Sequence, residues 1–119
     1  MNLPILVVED DGLIRMDLVD TLSDVGFDVL DAGNADQALA ILEKHNVSAL
    51  LTDIDMPGSM NGIALAHLTA KRWPSSKIIV ISGRYSPLQG SLPDGARFLS
   101  KPIAETALNF AMSEMDIRP

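Results

Sequence analysis

The sequence contains no cysteine and has few basic residues, and each shortage excludes a class of protein. Without cysteine there is neither a disulfide framework nor a thiolate metal site. Nine Lys and Arg stand against sixteen Asp and Glu, which gives a formal net charge of −7. Such a field repels phosphate backbones and anionic lipids, so neither nucleic acid nor a membrane is an expected partner.

The N-terminus lacks the features of a targeting or membrane segment. It carries no basic run, and the apolar stretch over residues 3–8 ends at Glu9, Asp10 and Asp11. Neither a signal peptide nor a membrane span fits this pattern. We therefore expect a cytoplasmic protein.

What the sequence does contain is enough apolar material for one core. The 119 residues, 47% of them hydrophobic, predict a single domain over residues 1–119. Short apolar runs alternate with segments of helical period, which is typical of an α/β fold with a parallel sheet covered on both faces. The predicted strands are residues 4–8, 27–30, 48–52, 77–81 and 96–99.

Four helices are predicted between and after these strands. The first carries a single apolar face and stops at Gly26; the residues of that face are Ile14, Leu18, Leu22 and Val25. Asn34 caps a second helix that ends near residues 45–46, and a third covers residues 63–73. The last, over residues 103–115, has two apolar stripes (Ile103, Ala107, Phe110 and Ala104, Leu108, Met112, Met115), of which the sheet can bury one. The second stripe is expected to meet a partner.

The segment over residues 83–95 breaks this alternation. It contains three Gly and two Pro where a helix is expected between the fourth and fifth strands. We expect a short or fraying helix there, which becomes ordered on modification or partner binding.

Polar side chains follow four of the five predicted strands. They are Glu9, Asp10 and Asp11 after the first, Asp53 after the third, Ser82 after the fourth and Lys101 after the fifth. Because the carboxyl ends of parallel strands share one edge of the sheet, these groups should converge. Clustered carboxylates raise one another's pKa unless a cation lies among them, and hard oxygen ligands suit Mg²⁺. A carboxylate, a metal and a lysine together make a phosphoryl site.

Four motifs in this order resemble the response-regulator receiver domain of two-component signalling. They are Val7-Val8-Glu9-Asp10, Thr52-Asp53-Ile54-Asp55-Met56-Pro57, Ile79-Val80-Ile81-Ser82-Gly83 and Lys101-Pro102. The resemblance covers essentially the whole chain and implies a stand-alone receiver, although a piece of a longer regulator stays open. It also implies a flavodoxin-like (βα)5 doubly wound fold with strand order 2-1-3-4-5.

The resemblance implies a phosphoacceptor and its metal ligands. Asp53 would be the nucleophile that takes a phosphoryl group from a phosphohistidine. Asp10 and Asp53 would bind Mg²⁺ through their side chains, Asp55 through its backbone carbonyl, and Glu9 through a coordinated water.

The resemblance also implies the residues that read out the phosphoryl group. Lys101 would pair with one phosphoryl oxygen, and Ser82 would move to hydrogen-bond another. Phe98 takes the place of the family's aromatic switch residue and can report only by packing. The Lys101–Pro102 peptide bond is expected to be cis.

Two features depart from the family's pattern, namely the helix-breaking segment over residues 83–95 and the loop after the phosphoacceptor motif. The spacing from Asp53 to Gly62 is nine residues instead of eight, which lengthens the loop beside the expected metal site. Asp55 and Arg84 lie two residues beyond the phosphoacceptor and the hydroxyl. We hypothesise that these opposite charges pair and shield the acyl phosphate from water.

The expected partners are proteins. A sensor histidine kinase or phosphotransfer protein would supply the phosphoryl group, and an unidentified downstream protein would receive the signal. The chain would be a phosphoacceptor that assists its own chemistry and not an enzyme in the usual sense. It is expected to be a monomer or a weak dimer through the last helix.

Two other functions stay open on the sequence. Asp53-Ile54-Asp55 also resembles the two-aspartate motif of haloacid-dehalogenase-type phosphatases, but there the motif follows the first strand of a larger domain. A flavodoxin-like binding module would share the sheet, yet Glu9-Asp10-Asp11 would repel a flavin phosphate.

Overall fold

The fold is a five-stranded parallel sheet with helices on both faces. The computed structural model describes residues 3–56, 58, 60–83 and 91–119. In chain order the elements are β1 (Ile5–Val8), α1 (Gly12–Val25), β2 (Val29–Ala32), α2 (Ala35–Lys44), β3 (Ala49–Asp53), α3 (Gly62–Arg72), β4 (Lys77–Ser82), β5 (Arg97–Ser100) and α4 (Glu105–Glu114). The strand order is β2-β1-β3-β4-β5, which confirms the predicted flavodoxin-like topology.

Two predictions fall on residues that the structure does not describe. A short helix is expected within residues 83–95, and residues 84–90 of that segment are outside the described part of the chain; so is Arg84, the hypothesised partner of Asp55. Both stay predictions. Among the described helices, none combines the length and the apolar composition that a membrane span requires.

Alternate side chains of the central strands supply two apolar layers. Ile5 and Val7 pack with α1 and α4, whereas Leu6 and Val8 pack with α2 and α3. Because every β1 side chain is buried, the strand reads as a continuous apolar run instead of an alternating one. The sheet is therefore covered on both faces at its centre.

The second strand begins two residues later than predicted. Gly26 ends α1 in the left-handed region, with φ 111°, and the Phe27 N–H donates to the Leu22 carbonyl at 3.1 Å. Phe27 thus belongs to the helix-ending turn, although its side chain is buried in the core. Its apolar character made it look like the start of a strand, and the prediction of residues 27–30 was two residues too early at both ends.

Side-chain oxygens fix the start of three helices. Asp11 accepts hydrogen bonds from the backbone N–H groups of Leu13 and Ile14, and Asn34 and Asn61 cap α2 and α3. The predicted apolar face of α1 is correct except at its last residue. Val25 is 41% exposed, because the helix ends beside it.

The last helix buries the larger residues of one predicted apolar stripe, whereas Ala104 of that stripe is exposed and Ile103 of the other stripe packs against the core. Leu108, Met112 and Met115 lie in the core, and α4 itself begins at Glu105, two residues later than predicted. Phe110, from the other stripe, is 65% exposed. Phe110 therefore marks the surface on which the predicted dimer contact would depend.

Gly62, the first residue of α3, touches the chain at the end of β3. A Cβ atom at this position would lie 1.8 Å from the backbone oxygen of Asp53. The Gly62 N–H donates to the Ile54 carbonyl at 3.0 Å, so the helix start is drawn against this turn. Only glycine permits this approach.

We expect Gly62→Ala to lower the free energy of unfolding by more than about 3 kcal/mol, because the new methyl group clashes with backbone. Gly12→Ala is the matched control, since Gly12 also opens a helix and its added Cβ would meet nothing closer than 3.9 Å. That control should change stability by less than about 1 kcal/mol. Urea denaturation measures both, and equal effects of the two variants would contradict the close approach.

Candidate functional site

The carboxyl ends of β1, β3, β4 and β5 bring the predicted polar residues to one edge of the sheet. The strand register pairs Val8 with Thr52, Asp53 with Ile81, and Ser82 with Ser100. Glu9 and Lys101 each follow the last residue of their strand. The sequence therefore predicted correctly which strand ends meet.

A lysine from the fifth strand's end lies between two buried carboxylates. The Lys101 Nζ atom is 2.5 Å from Glu9 Oε1 and 3.1 Å from Asp53 Oδ2. Glu9 is fully buried, and Asp53 is 3% exposed. Burial of charged groups is tolerated when they are paired in this way, so the three side chains form one ionic cluster.

Three carboxylates of this edge are close enough to share a cation. Oxygen atoms of Glu9, Asp10 and Asp53 all lie within 4.8 Å of one another. Asp10 is exposed to solvent, whereas the other two are buried. Asp55 lies at the rim, half-buried, and its backbone N–H donates to Asp53 Oδ1 at 3.4 Å. Hard oxygen donors at this spacing suit Mg²⁺.

The two predicted switch residues occupy neighbouring strands. Ser82 ends β4 and is buried, and its carbonyl accepts a hydrogen bond from the Lys101 N–H at 2.9 Å. Phe98, in β5, is half-buried and packs on the α2 and α3 side of the sheet. The Lys101–Pro102 peptide bond is cis, as predicted. The switch roles of Ser82 and Phe98 stay predictions.

Asp11, the acidic residue that follows the first motif, has a structural role. Asp11 caps α1 with its side chain, and its backbone N–H donates to Glu9 Oε2 at 3.2 Å. The acidic triplet Glu9-Asp10-Asp11 therefore combines two candidate metal ligands with a residue that begins a helix. An acidic residue at a helix N-terminus is common in any helical protein, so the sequence alone did not separate these tasks.

Arg15 is a residue that the sequence reasoning missed. Its Nη1 atom donates to the Glu9 carbonyl at 2.7 Å, and its Nε atom is 3.1 Å from Asp31 Oδ2. It lies one helical turn after Asp11, the residue that caps α1. That spacing, with the side chain pointing back toward the helix start, is the signal that could have found it.

Burial dominates the electrostatics of Glu9. Burial, with smaller contributions from Asp53 and Asp10, raises the pKa of this carboxyl from 4.5 to about 7, against the lowering effects of Lys101 and the Asp11 N–H. Burial acts to lower the pKa of Lys101, but Glu9 and Asp53 outweigh it and raise that pKa. Lys101 therefore stays charged at neutral pH.

The raised pKa of Glu9 makes a prediction about stability. In metal-free buffer the folded protein keeps a proton on Glu9 that the unfolded chain releases, so this contribution to the free energy of unfolding is present below pH 4.5 and is lost as the pH rises through about 7. Wild type should lose on the order of 2 kcal/mol more than Glu9→Gln between about pH 5 and about pH 8. Urea denaturation at both pH values measures this, and parallel pH dependences would refute it.

Comparison with known proteins agrees with the geometry. A family model for the response regulator receiver domain matches residues 5–113. The response regulator receiver protein CpdR of Brucella abortus is 38% identical over 102 residues, which cover 82% of this chain and 83% of that protein. An NtrX-like response regulator of Rickettsia felis is 39% identical over 83 residues. These cover 69% of this chain, which spans only 18% of that relative's length.

Solved structures give the same result. A CheY-like receiver domain protein from Methanospirillum hungatei superimposes with a TM-score of 0.86 at 28% identity, covering 98% of this chain and 95% of that one. The response regulator TrrA of Thermotoga maritima, in complex with Mg²⁺ and BeF, gives 0.78 at 28% identity, covering 97% and 99%. The chain therefore belongs to the response regulator receiver domain family of two-component signalling.

Proposed function

We propose that this receiver domain is a phosphoacceptor whose nucleophile is Asp53 and whose reaction depends on Mg²⁺. The observation that carries the proposal is the position of Asp53, which is buried, 3.1 Å from the Lys101 ammonium and within 4.8 Å of the Glu9 and Asp10 oxygens. A nucleophilic carboxylate beside fixed positive charge and metal-ligating oxygens is what phosphoryl transfer requires.

The proposed step transfers a phosphoryl group from a phosphohistidine. A carboxylate oxygen of Asp53 attacks phosphorus and forms a P–O bond, while the P–N bond to the donor imidazole breaks. The electron pair of that bond returns to the nitrogen, which takes up a proton. Lys101 is already in place to stabilise the charge on a phosphoryl oxygen, so little rearrangement is needed as the bonds change.

The donor set fits Mg²⁺ and not a softer metal. Glu9, Asp10 and Asp53 offer only carboxylate oxygens, and the chain has no cysteine. We propose Asp10 and Asp53 as direct ligands, Glu9 as a ligand through water and Asp55 as a backbone ligand. Bound there, Mg²⁺ supplies positive charge for the phosphoryl oxygens. The related TrrA has been solved in complex with Mg²⁺ and BeF, which supports Mg²⁺ as the metal.

Read-out of the phosphoryl group is assigned to Ser82 and Phe98. Ser82 ends the strand next to the one that carries Asp53, and its backbone already contacts that of Lys101. A move of its hydroxyl toward a phosphoryl oxygen would change packing at the end of β4. Phe98 lies one strand farther out, paired with Val80 of β4, and would follow by packing alone.

The proposed partners are proteins. A sensor histidine kinase or a phosphotransfer protein donates the phosphoryl group in the cytoplasm, and a downstream protein receives the signal. The net charge of −7 argues against nucleic acid as a direct ligand. The haloacid-dehalogenase alternative has less support, because Asp53 ends the third strand of the sheet and not the first.

Incubation with Mg²⁺ and acetyl phosphate should add one phosphoryl group, about 80 Da, to the wild-type chain. Asp53→Ala should show no such adduct, because the attacking oxygen is gone. Intact-mass spectrometry measures this. The matched control is Asp94→Ala, which removes an exposed acidic residue that the ionic cluster does not include. An adduct on Asp53→Ala at the wild-type level would overturn the assignment.

Metal binding is tested separately from phosphorylation. Asp10→Asn should weaken Mg²⁺ binding at least about tenfold, because it removes an exposed ligand without unpairing the buried cluster. Titration calorimetry with MgCl₂ measures the affinity. Asp20→Asn, an exposed change on α1, makes the same change of charge and should leave the affinity within about twofold. Equal affinities for all three proteins would remove Asp10 from the site.

A further inference from the structure

We infer that Arg15 is a positioning residue that holds the peptide between the two acidic residues Glu9 and Asp10 in the orientation that metal binding needs. The inference rests on the proposed function, since it concerns the same metal site. Arg15 lies on α1, and its Nη1 atom donates to the Glu9 backbone carbonyl at 2.7 Å.

The carbonyl that Arg15 holds belongs to the Glu9–Asp10 peptide unit. β1 ends at Val8, so Glu9 lies beyond the last residue of that strand. Its N–H is held by the Ala32 carbonyl at 3.1 Å, and its C=O is held by Arg15. Both backbone groups of Glu9 are thus fixed. Because the peptide unit between Glu9 and Asp10 is planar, its orientation is fixed with them.

The guanidinium group is itself anchored at a second point. Arg15 Nε lies 3.1 Å from Oδ2 of Asp31, which belongs to β2, so two donors on one rigid plane engage two different strand ends. Gly33 leaves room for this plane, because a Cβ there would lie 3.1 Å from Arg15 Nη1. The Arg15 side chain is 28% exposed, and the contact is partly shielded from water.

Lysine cannot replace this arrangement. Its ammonium is a single point of charge on a flexible stem, so it cannot bridge the Glu9 carbonyl and the Asp31 carboxylate with a planar fork. Arg15→Lys therefore keeps the charge and removes the bridge. Arg15→Ala removes both.

These variants separate positioning from charge. By charge alone, Arg15→Ala would tighten Mg²⁺ binding, since it deletes a positive charge near a dication site, and Arg15→Lys would change nothing. If Arg15 positions the peptide, both variants weaken binding, by about tenfold. Arg118→Ala is the control for loss of one positive charge, because Arg118 is 73% exposed and pairs with Asp116 beyond α4.

The experiment is a titration of wild type, the two Arg15 variants, Arg118→Ala and Asp10→Asn with MgCl₂, followed by calorimetry, with thermal unfolding of each protein as the check on folding. Weaker binding by both Arg15 variants, with Arg118→Ala unchanged, supports the inference. Unchanged or tighter binding by Arg15→Lys, with thermal unfolding that shows the variant to be folded, overturns it.

The outcomes keep the inference apart from the proposed function. If the wild type binds Mg²⁺, and Asp10→Asn weakens this binding while Arg15→Lys does not, the metal site is supported and Arg15 has no role in it. Absence of wild-type binding removes the metal site, and the role of Arg15 falls with it.

Discussion

The ion pair of Lys101 with Glu9 and Asp53 is the interaction on which the site depends. Two carboxylates buried side by side would otherwise repel each other, and one of them would take up a proton. The ammonium from the end of β5 lies within 3.1 Å of both. The three partners come from the carboxyl ends of β1, β3 and β5. The cluster therefore forms only when the sheet places these three strand ends in the observed order. The chemistry is thus a property of the strand order and not of any single loop.

The strand order in turn follows from where apolar and polar residues lie along each strand. The interior positions of β1, β3 and β4 are buried on both faces, so these strands take the centre of the sheet. Their polar residues come at the carboxyl ends, where Glu9, Asp53 and Ser82 are still buried. The receiver domain protein from Methanospirillum hungatei has nearly the same fold at 28% identity. This is consistent with a fold that depends on the pattern of apolar and polar residues more than on particular side chains.

Much of this could be predicted from the sequence, for a physical reason. Buried parallel strands read as continuous apolar runs, and residues after them meet at one edge, so Glu9, Asp10, Asp53 and Lys101 could be assigned together.

The local sequence pattern gave no correct prediction where a contact is made across the fold. Phe27 is apolar because its side chain fills the core from a turn, and nothing in its neighbours shows that β2 has not begun. Which stripe of the last helix is buried was equally undetermined, because both have helical spacing. The reach of Arg15 to a carbonyl six residues earlier depends on the path of the chain between them.

The acidic triplet has a consequence for how the sequence can vary. Glu9 is buried against a lysine, Asp10 faces solvent beside the carboxylates, and Asp11 begins a helix. Three adjacent acidic residues thus have three different roles. Serine, threonine or asparagine could take over at the third position, since each caps a helix. At the first, only a side chain that meets the lysine in a dry environment would serve. Among these three positions, the freedom to change should therefore be greatest at residue 11, because residues 9 and 10 both belong to the carboxylate cluster.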